Sequence, residues 1–134
     1  MSFADAAEFA ELVVLAVPGV AAEDAVRAAG PARFAGKVVI DATNPLESIS
    51  GAPLTLAITG ADSAGERIQR ALPAARVVKA FNTIGYLHMF RPAFPGGPPD
   101  MFIAGDDAGA KAVVTGILRN FGWGAVDVGG IENA

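Results

Sequence analysis

The hydrophobic residues of this chain alternate between two kinds of pattern. Short uninterrupted runs of Val, Ile and Leu predict β-strands that are buried on both faces. We expect five such strands, at residues 12–17, 37–41, 76–81, 100–105 and 125–129. Because these runs show no polar residue at every second position, they indicate a sheet covered on both sides and therefore mainly parallel strands.

The segments between the strands carry the signals of helices. The clearest has apolar residues at the spacing of one helix face and ends before Gly122. Its apolar residues are Ala110, Val113, Val114, Ile117, Leu118 and Phe121. Ser63 and Glu66 form the capping box of another helix, which ends before Pro73. Two further helices are expected, at residues 3–10 and 21–29.

The alternation of strands and helices predicts an α/β fold. A mainly parallel sheet of about five strands with flanking helices accounts for residues 1–134 as a single domain. Residues 83–99 stand apart, since they hold four of the nine prolines and a Gly-Gly pair. We expect a long loop there, of the kind that is usually functional or mobile.

Composition and charge exclude several classes of function. The net charge is −4 and the ten Lys and Arg are scattered, so no basic surface for nucleic acid is expected. The chain has no Cys and a single His, which excludes disulfides and thiolate or His-rich metal sites. Its longest apolar run, residues 12–22, is too short to span a membrane. We therefore expect a cytoplasmic protein without a metal site.

Three of the predicted strands end alike, in small or polar residues that break the strand. These ends are LAVPG at 15–19, IDATNP at 40–45 and KAFNT at 79–83. For any one of them, simple termination by Pro18 or Pro45 is the plainer explanation. Because ligands bind beyond the carboxyl ends of parallel strands, the three ends together favour a binding edge.

The ordered set of segments carries a family resemblance. The segments are VVLAVPG, GKVVIDATNPL, GERIQRALPAARVVKAFNTIG, PDMFIAGDDAGAKAVV and FGWGAVDVGGIENA. In this order they resemble the NADP oxidoreductases linked to coenzyme F420, a deazaflavin. Single motifs are less specific, because pyrroline-carboxylate reductase and membrane ferric reductases have similar strand ends. The resemblance implies a Rossmann-type fold and hydride transfer between NADP(H) and the deazaflavin.

The resemblance also implies a set of cofactor-binding residues. In chain order they are Val17, Pro18, Gly19, Asn44, Pro45, Asn82 and Thr83. The first three would lie against the ribose and pyrophosphate, the next two nearer the nicotinamide, and the last two at the rim. Proline walls with a few amide and hydroxyl groups are usual in cofactor pockets. For Asn44, an Asx-turn that closes the loop is an equal alternative.

No catalytic side chain is expected, because the cofactors themselves carry hydride chemistry once their rings are held close. The chain has no G-x-S-x-G motif and no nucleophile with a base. We interpret His88 as a loop or surface residue rather than a proton donor. Asp41 is interpreted as a buried or loop-bonding carboxylate rather than a ribose ligand, and Asp106 and Asp107 as helix caps rather than a metal pair.

The sequence departs from the family at the glycine-rich turn. Family members open with a strand and G-x-G-x-x-G, whose backbone N–H groups hold the pyrophosphate. Here Gly122 and Gly124 follow a helix instead of a strand and lack the third glycine. Gly60 and Gly65 have the spacing of a P-loop, but Glu66 follows them where a P-loop has lysine. We therefore expect a partial Rossmann-type domain that lacks the first βαβ unit and the family's C-terminal helices.

Two functional classes remain open. The first is an oxidoreductase domain impaired by the loss of the glycine-rich turn. The second is a non-catalytic remnant or oligomerising module that binds no nucleotide. In the strand order 3-2-1-4-5-6, the strand at 12–17 pairs with a first strand that this chain lacks. It is then an edge without guarding charges, and we expect residues 1–11 or a second copy to cover it.

Overall fold

The strands form at the predicted β-branched runs. The computed structural model describes residues 1–47 and 53–134. Its strands are β1 Leu12–Leu15, β2 Val38–Asp41, β3 Leu46–Glu47, β4 Thr55–Leu56, β5 Arg76–Lys79, β6 Asp100–Ile103 and β7 Gly124–Asp127. Four of the five predicted strands end two residues early, because pairing stops before the residues that turn the chain. The antiparallel pair β3 and β4 was not predicted, since two-residue exposed strands leave no periodic signal.

The longer strand pairs are parallel. β1, β2 and β5 pair in the order β1-β2-β5, with Leu12 opposite Val38 and Val38 opposite Arg76. β6 and β7 are parallel to each other, and an antiparallel bridge of two backbone hydrogen bonds between Lys79 and Ala104 joins them to β5. The ends of β1, β2 and β5 therefore share one edge, which confirms that prediction and the α/β fold class.

The helices begin and end at the predicted signals. They are α1 Phe3–Phe9, α2 Ala22–Ala29, α3 Ala64–Ala71 and α4 Ala108–Phe121. Ser63 Oγ accepts the N–H of Glu66 at 3.1 Å while the Glu66 carboxylate accepts the N–H of Ser63 at 2.9 Å. Gly122 ends α4 with a φ of 94°, a conformation that glycine adopts without strain. None of the helices in the described ranges is long and apolar enough to cross a membrane.

Only one of the two adjacent aspartates caps α4. Asp107 accepts the N–H of Ala110 at 2.6 Å and is the N-cap. The prediction that Asp106 is also a cap is wrong, because its carboxylate accepts the N–H of Ile131 at 2.9 Å. A helix has one N-cap position, so the neighbouring carboxylate is available to hold the final turn, Ile131–Asn133.

Apolar side chains cover β2 and β5 on both faces, whereas Val14 of β1 and Phe102 of β6 are each 55% exposed, so the predicted burial on both faces is wrong for these outer strands. Consecutive strand residues point to opposite sides. Val39 of β2 packs with side chains of α1, α2 and α3, whereas Ile40 packs with α4. Both residues are almost completely buried, so the sheet lies in the middle of the molecule.

We expect adjacent valines of α4 to differ sharply in their effect on stability. Val114 is fully buried, whereas Val113 is 47% exposed. Val114→Ala removes buried methyl groups and leaves a cavity, which we expect to cost about 2 kcal/mol of unfolding free energy. Val113→Ala is the matched control and should change it by less than about 0.5 kcal/mol. Urea unfolding measures both, and equal losses would contradict the packing described for α4.

Candidate functional site

A largely apolar cleft of about 690 Å³ opens at the carboxyl ends of β1 and β2. Four of the predicted site residues line it, namely Val17, Pro18, Gly19 and Asn44. The facing wall comes from the end of β5, the following loop and α4, through Phe81, Tyr86, Met89, Ile117 and Phe121. The structure thus brings together predicted residues from two separate strand ends.

The other three predicted residues lie beside this cleft. Pro45 and Asn82 line a neighbouring depression of about 400 Å³, which Asn44 also borders. Asn82 and Thr83 line a further one of about 490 Å³. Asn44 therefore stands between the cleft and the first depression.

The side chain of Asn44 bridges two loops. Its Nδ2 donates to the backbone carbonyl of Asn82 at 2.6 Å, which links the end of β2 to the end of β5. The N–H of Leu46 donates to the Asn44 backbone carbonyl at 2.8 Å rather than to its side chain. The side chain thus connects two loops instead of closing an Asx-turn.

The loop after β1 touches the loop after β2 through Gly19. A Cβ atom at this position would lie 2.1 Å from the carbonyl oxygen of Asn44. Only glycine allows this approach of two backbones. The wall of the cleft therefore depends on a residue without a side chain.

Phe81 turns the chain sharply after β5. Its φ of 67° lies in the left-handed region, which is unusual for a bulky residue. Its ring is buried and lies 6.0 Å from that of Phe121 on α4, between ring centroids. Such strain persists only where the surrounding packing imposes it and is frequent at binding sites. Neither Phe81 as a site residue nor its positive φ was predicted, because a bulky apolar residue gives no signal of a left-handed conformation.

A buried polar group lies beneath the Asn44 loop. Asp41 is completely buried, and its Oδ1 accepts the N–H of Thr43 at 2.9 Å and the hydroxyl of Thr43 at 2.7 Å. Its Oδ2 accepts from Nζ of Lys79 at 3.0 Å. Asp41 is therefore the loop-bonding carboxylate that was predicted. Lys79 was missed, and the only signal for it was a lysine within the apolar run RVVKAF.

The carboxylate at the rim of the 400 Å³ depression is already paired. Hydrogen bonds from Arg70 and Arg67 hold the pKa of Asp62 below its ordinary value of 3.8. This carboxylate stays ionised at neutral pH and is neutralised by its two arginines. Within the described ranges, no group of three or more metal-binding side chains occurs.

The loop at residues 83–99 contains a short 3₁₀ turn, Tyr86–His88, and otherwise no helix or strand. His88 is exposed, and its ring lies 5.0 Å from the Phe94 ring between centroids. The prediction of a loop histidine is confirmed. Tyr86 of the same turn faces the cleft from its far side.

Known proteins resemble the chain in sequence. The family model described as "NADP oxidoreductase coenzyme F420-dependent" matches residues 1–45. The F420-dependent NADP reductase of Methanothermobacter marburgensis is 36% identical over 135 residues, which covers 98% of this chain and 59% of that protein. The chain is therefore similar to F420-dependent NADP oxidoreductases. The metalloreductase STEAP3 of Rattus norvegicus is 31% identical over 106 residues, or 76% of this chain and 19% of that protein.

A solved structure agrees with this similarity to F420-dependent NADP oxidoreductases. A protein of Arthrobacter sp. FB24, provisionally assigned as an F420-dependent NADP reductase, superposes with a TM-score of 0.92 at 42% identity. The match covers 98% of this chain and 60% of that one. The chain thus spans about three fifths of the length of the reductases it matches.

We expect Gly19→Ala to push the two loops of the cleft apart. The new Cβ overlaps the Asn44 carbonyl oxygen, and such overpacking should cost about 3 kcal/mol of unfolding free energy. Gly85→Ala is the matched control, because no atom lies within 4 Å of the position its Cβ would take. Thermal unfolding of the three proteins checks this, and a Gly19 variant as stable as the control would contradict the close approach.

Proposed function

We propose that the chain forms the nicotinamide side of an NADP(H) site in an oxidoreductase that exchanges hydride with a deazaflavin, coenzyme F420. The observation that supports it best is the cleft formed where two neighbouring parallel strands end, with Pro18, Gly19 and Asn44 on its wall. Nucleotides bind at this edge in open α/β sheets. We infer the two cofactors, NADP(H) and coenzyme F420, from the names of the similar reductases.

The cleft fits a ring system held by shape and few polar groups. Its volume of about 690 Å³ lies within the range of small-ligand sites. When bound, the cofactors supply the hydride chemistry. Pro18 and Phe81 give apolar walls that exclude water, while Asn44 offers a polar group that orients a ring.

The residues of this chain provide little for a pyrophosphate. The sequence contains no G-x-G-x-x-G turn. Hydrogen bonds from such a turn to a charged phosphate are worth about 1.5 to 3 kcal/mol each. We therefore infer that this chain alone holds the nicotinamide end of the cofactor but not its phosphates, so that its function is impaired.

The purified chain should bind NADPH weakly, with a dissociation constant above the micromolar range. Reduced nicotinamide mononucleotide, which has the ring and ribose but no pyrophosphate, should bind about as weakly, since the phosphates gain no amide contacts. Fluorescence titration with both ligands checks this. Micromolar or tighter binding of NADPH would contradict the inference, and no binding of either ligand would contradict the proposed site.

The second candidate function is oligomerisation through β1. Among the described residues, β1 pairs with β2 alone. The carbonyl of Leu15 faces β2, where it accepts the N–H of Ala42 at 3.1 Å. Because the backbone groups of successive strand residues point to opposite sides, the N–H and carbonyl of Val14 point away from β2. Val14 is 55% exposed.

Helix α1 covers a face of β1 rather than its free edge. Ala7 of α1 packs in one cluster with Leu15 and Val26, on the side of the sheet that α2 occupies. Within residues 1–47 and 53–134 nothing pairs with the outer backbone groups of β1, which leaves them as a template for another strand. We propose that a second copy of the chain pairs there and forms a homo-oligomer.

A charge on this edge should separate the copies. Light scattering should show an oligomer for the wild type and a monomer for Val14→Lys, because a lysine on an edge strand opposes pairing. Val113→Lys is the control, since it adds the same charge to an exposed position of α4. A monomeric wild type at high concentration, with fast amide exchange along residues 13–17, would show that the edge stays open.

A further inference from the structure

Lys79 joins the ends of two neighbouring strands from inside the molecule. It is the last residue of β5 and is only 6% exposed. Its Nζ donates to Asp41 Oδ2 at 3.0 Å and to the backbone carbonyl of Thr43 at 2.6 Å. Asp41 ends β2 and Thr43 follows it, so one ammonium group spans the gap between the two strand ends.

All three polar groups of Thr43 are hydrogen-bonded. Its N–H and hydroxyl donate to Asp41, and its carbonyl accepts from Lys79. The next residue is Asn44, whose peptide nitrogen is bonded to that same carbonyl carbon. The position of the Thr43 carbonyl therefore sets the direction in which the chain presents Asn44 to the cleft.

The bonds form a closed ring. Lys79 holds Thr43, Asn44 donates to the carbonyl of Asn82, and Asn82 follows Lys79 by three residues. Each loop thus fixes the other. A change at Lys79 should therefore move Asn44, although the two side chains share no hydrogen bond.

A buried ion pair such as Lys79–Asp41 is weak evidence for a role in stability. A buried ion pair can often be replaced by apolar residues with little loss of stability, since burial removes water from both charges. A charged donor in a dry site does hold its acceptors strongly and in one geometry.

We propose that Lys79 is a positioning residue, whose buried ammonium fixes the Thr43 carbonyl and thereby the place of Asn44 in the cleft. The claim that the position of Asn44 matters for cofactor binding rests on the proposed function. The hydrogen-bond ring is observed in the structure and does not depend on that function. The two can therefore be tested separately.

The side-chain amide of Asn44 reports its own position. Its NMR signal in the isotope-labelled chain is assigned by its loss in Asn44→Ser. In Lys79→Met we expect this signal to shift and its hydrogen exchange to become about tenfold faster, as the bond to the Asn82 carbonyl weakens. Lys111→Met is the matched control. It removes a different Lys–Asp pair, with Asp127 at 2.8 Å, and should leave the Asn44 signal unchanged.

A buried aspartate left without its lysine can prevent folding. The double variant Asp41→Asn/Lys79→Met then replaces the single one, because it leaves no buried charge unpaired. An unchanged Asn44 signal in either folded variant overturns the positioning role. Failure of both to fold overturns it as well, since Lys79 is then a structural residue only.

Titration of the wild type with NADPH tests whether the position of Asn44 matters for cofactor binding. A shift of the Asn44 amide signal at millimolar NADPH, weaker in Lys79→Met than in Lys111→Met, is the expected result. No shift in the wild type would contradict the proposed function while leaving the exchange result for Lys79 as it stands. Equal shifts in both variants would overturn the link between Lys79 and the site.

Discussion

The common direction of β1, β2 and β5 decides where every polar residue of the site comes to lie. Right-handed connections through helices return the chain to the same side of the sheet before each new parallel strand begins. The residue that follows a strand is therefore always delivered to one edge. Asp41, Asn44, Lys79 and Asn82 meet there because of this direction, although half of them are encoded almost forty residues after the others.

Local signals in the sequence were sufficient for most of the framework. β-branched runs indicated the five long strands, and Ser63, Glu66 and Gly122 indicated helix ends, since each acts on backbone groups within a few residues. The same kind of reasoning could not choose between Asp106 and Asp107. Both residue types suit a cap, and only the arrival of Ile131 from the end of the chain assigns them different partners.

The site was less predictable because its contacts are non-local. The strand ends predicted Asn44 and Pro18, but a lysine in an apolar run gives no hint of the aspartate that neutralises it across the sheet. The positive φ of Phe81 is likewise imposed by packing against α4 rather than by its own preference. The rim position of Asn82 and Thr83 stays a prediction, since both line a depression beside the main cleft.

The final turn of the chain lies against an early part of the core. Asp106 holds Ile131, whose side chain packs in the cluster that contains Ile68 and Leu72 of α3. This cluster stays incomplete until Ile131 has been synthesised. During translation, the face of the sheet that α3 covers is therefore the later of the two to close. A nascent chain exposes that apolar surface to chaperones until Ile131 has left the ribosome, whereas the face under α4 can close a few residues earlier, once β7 is made.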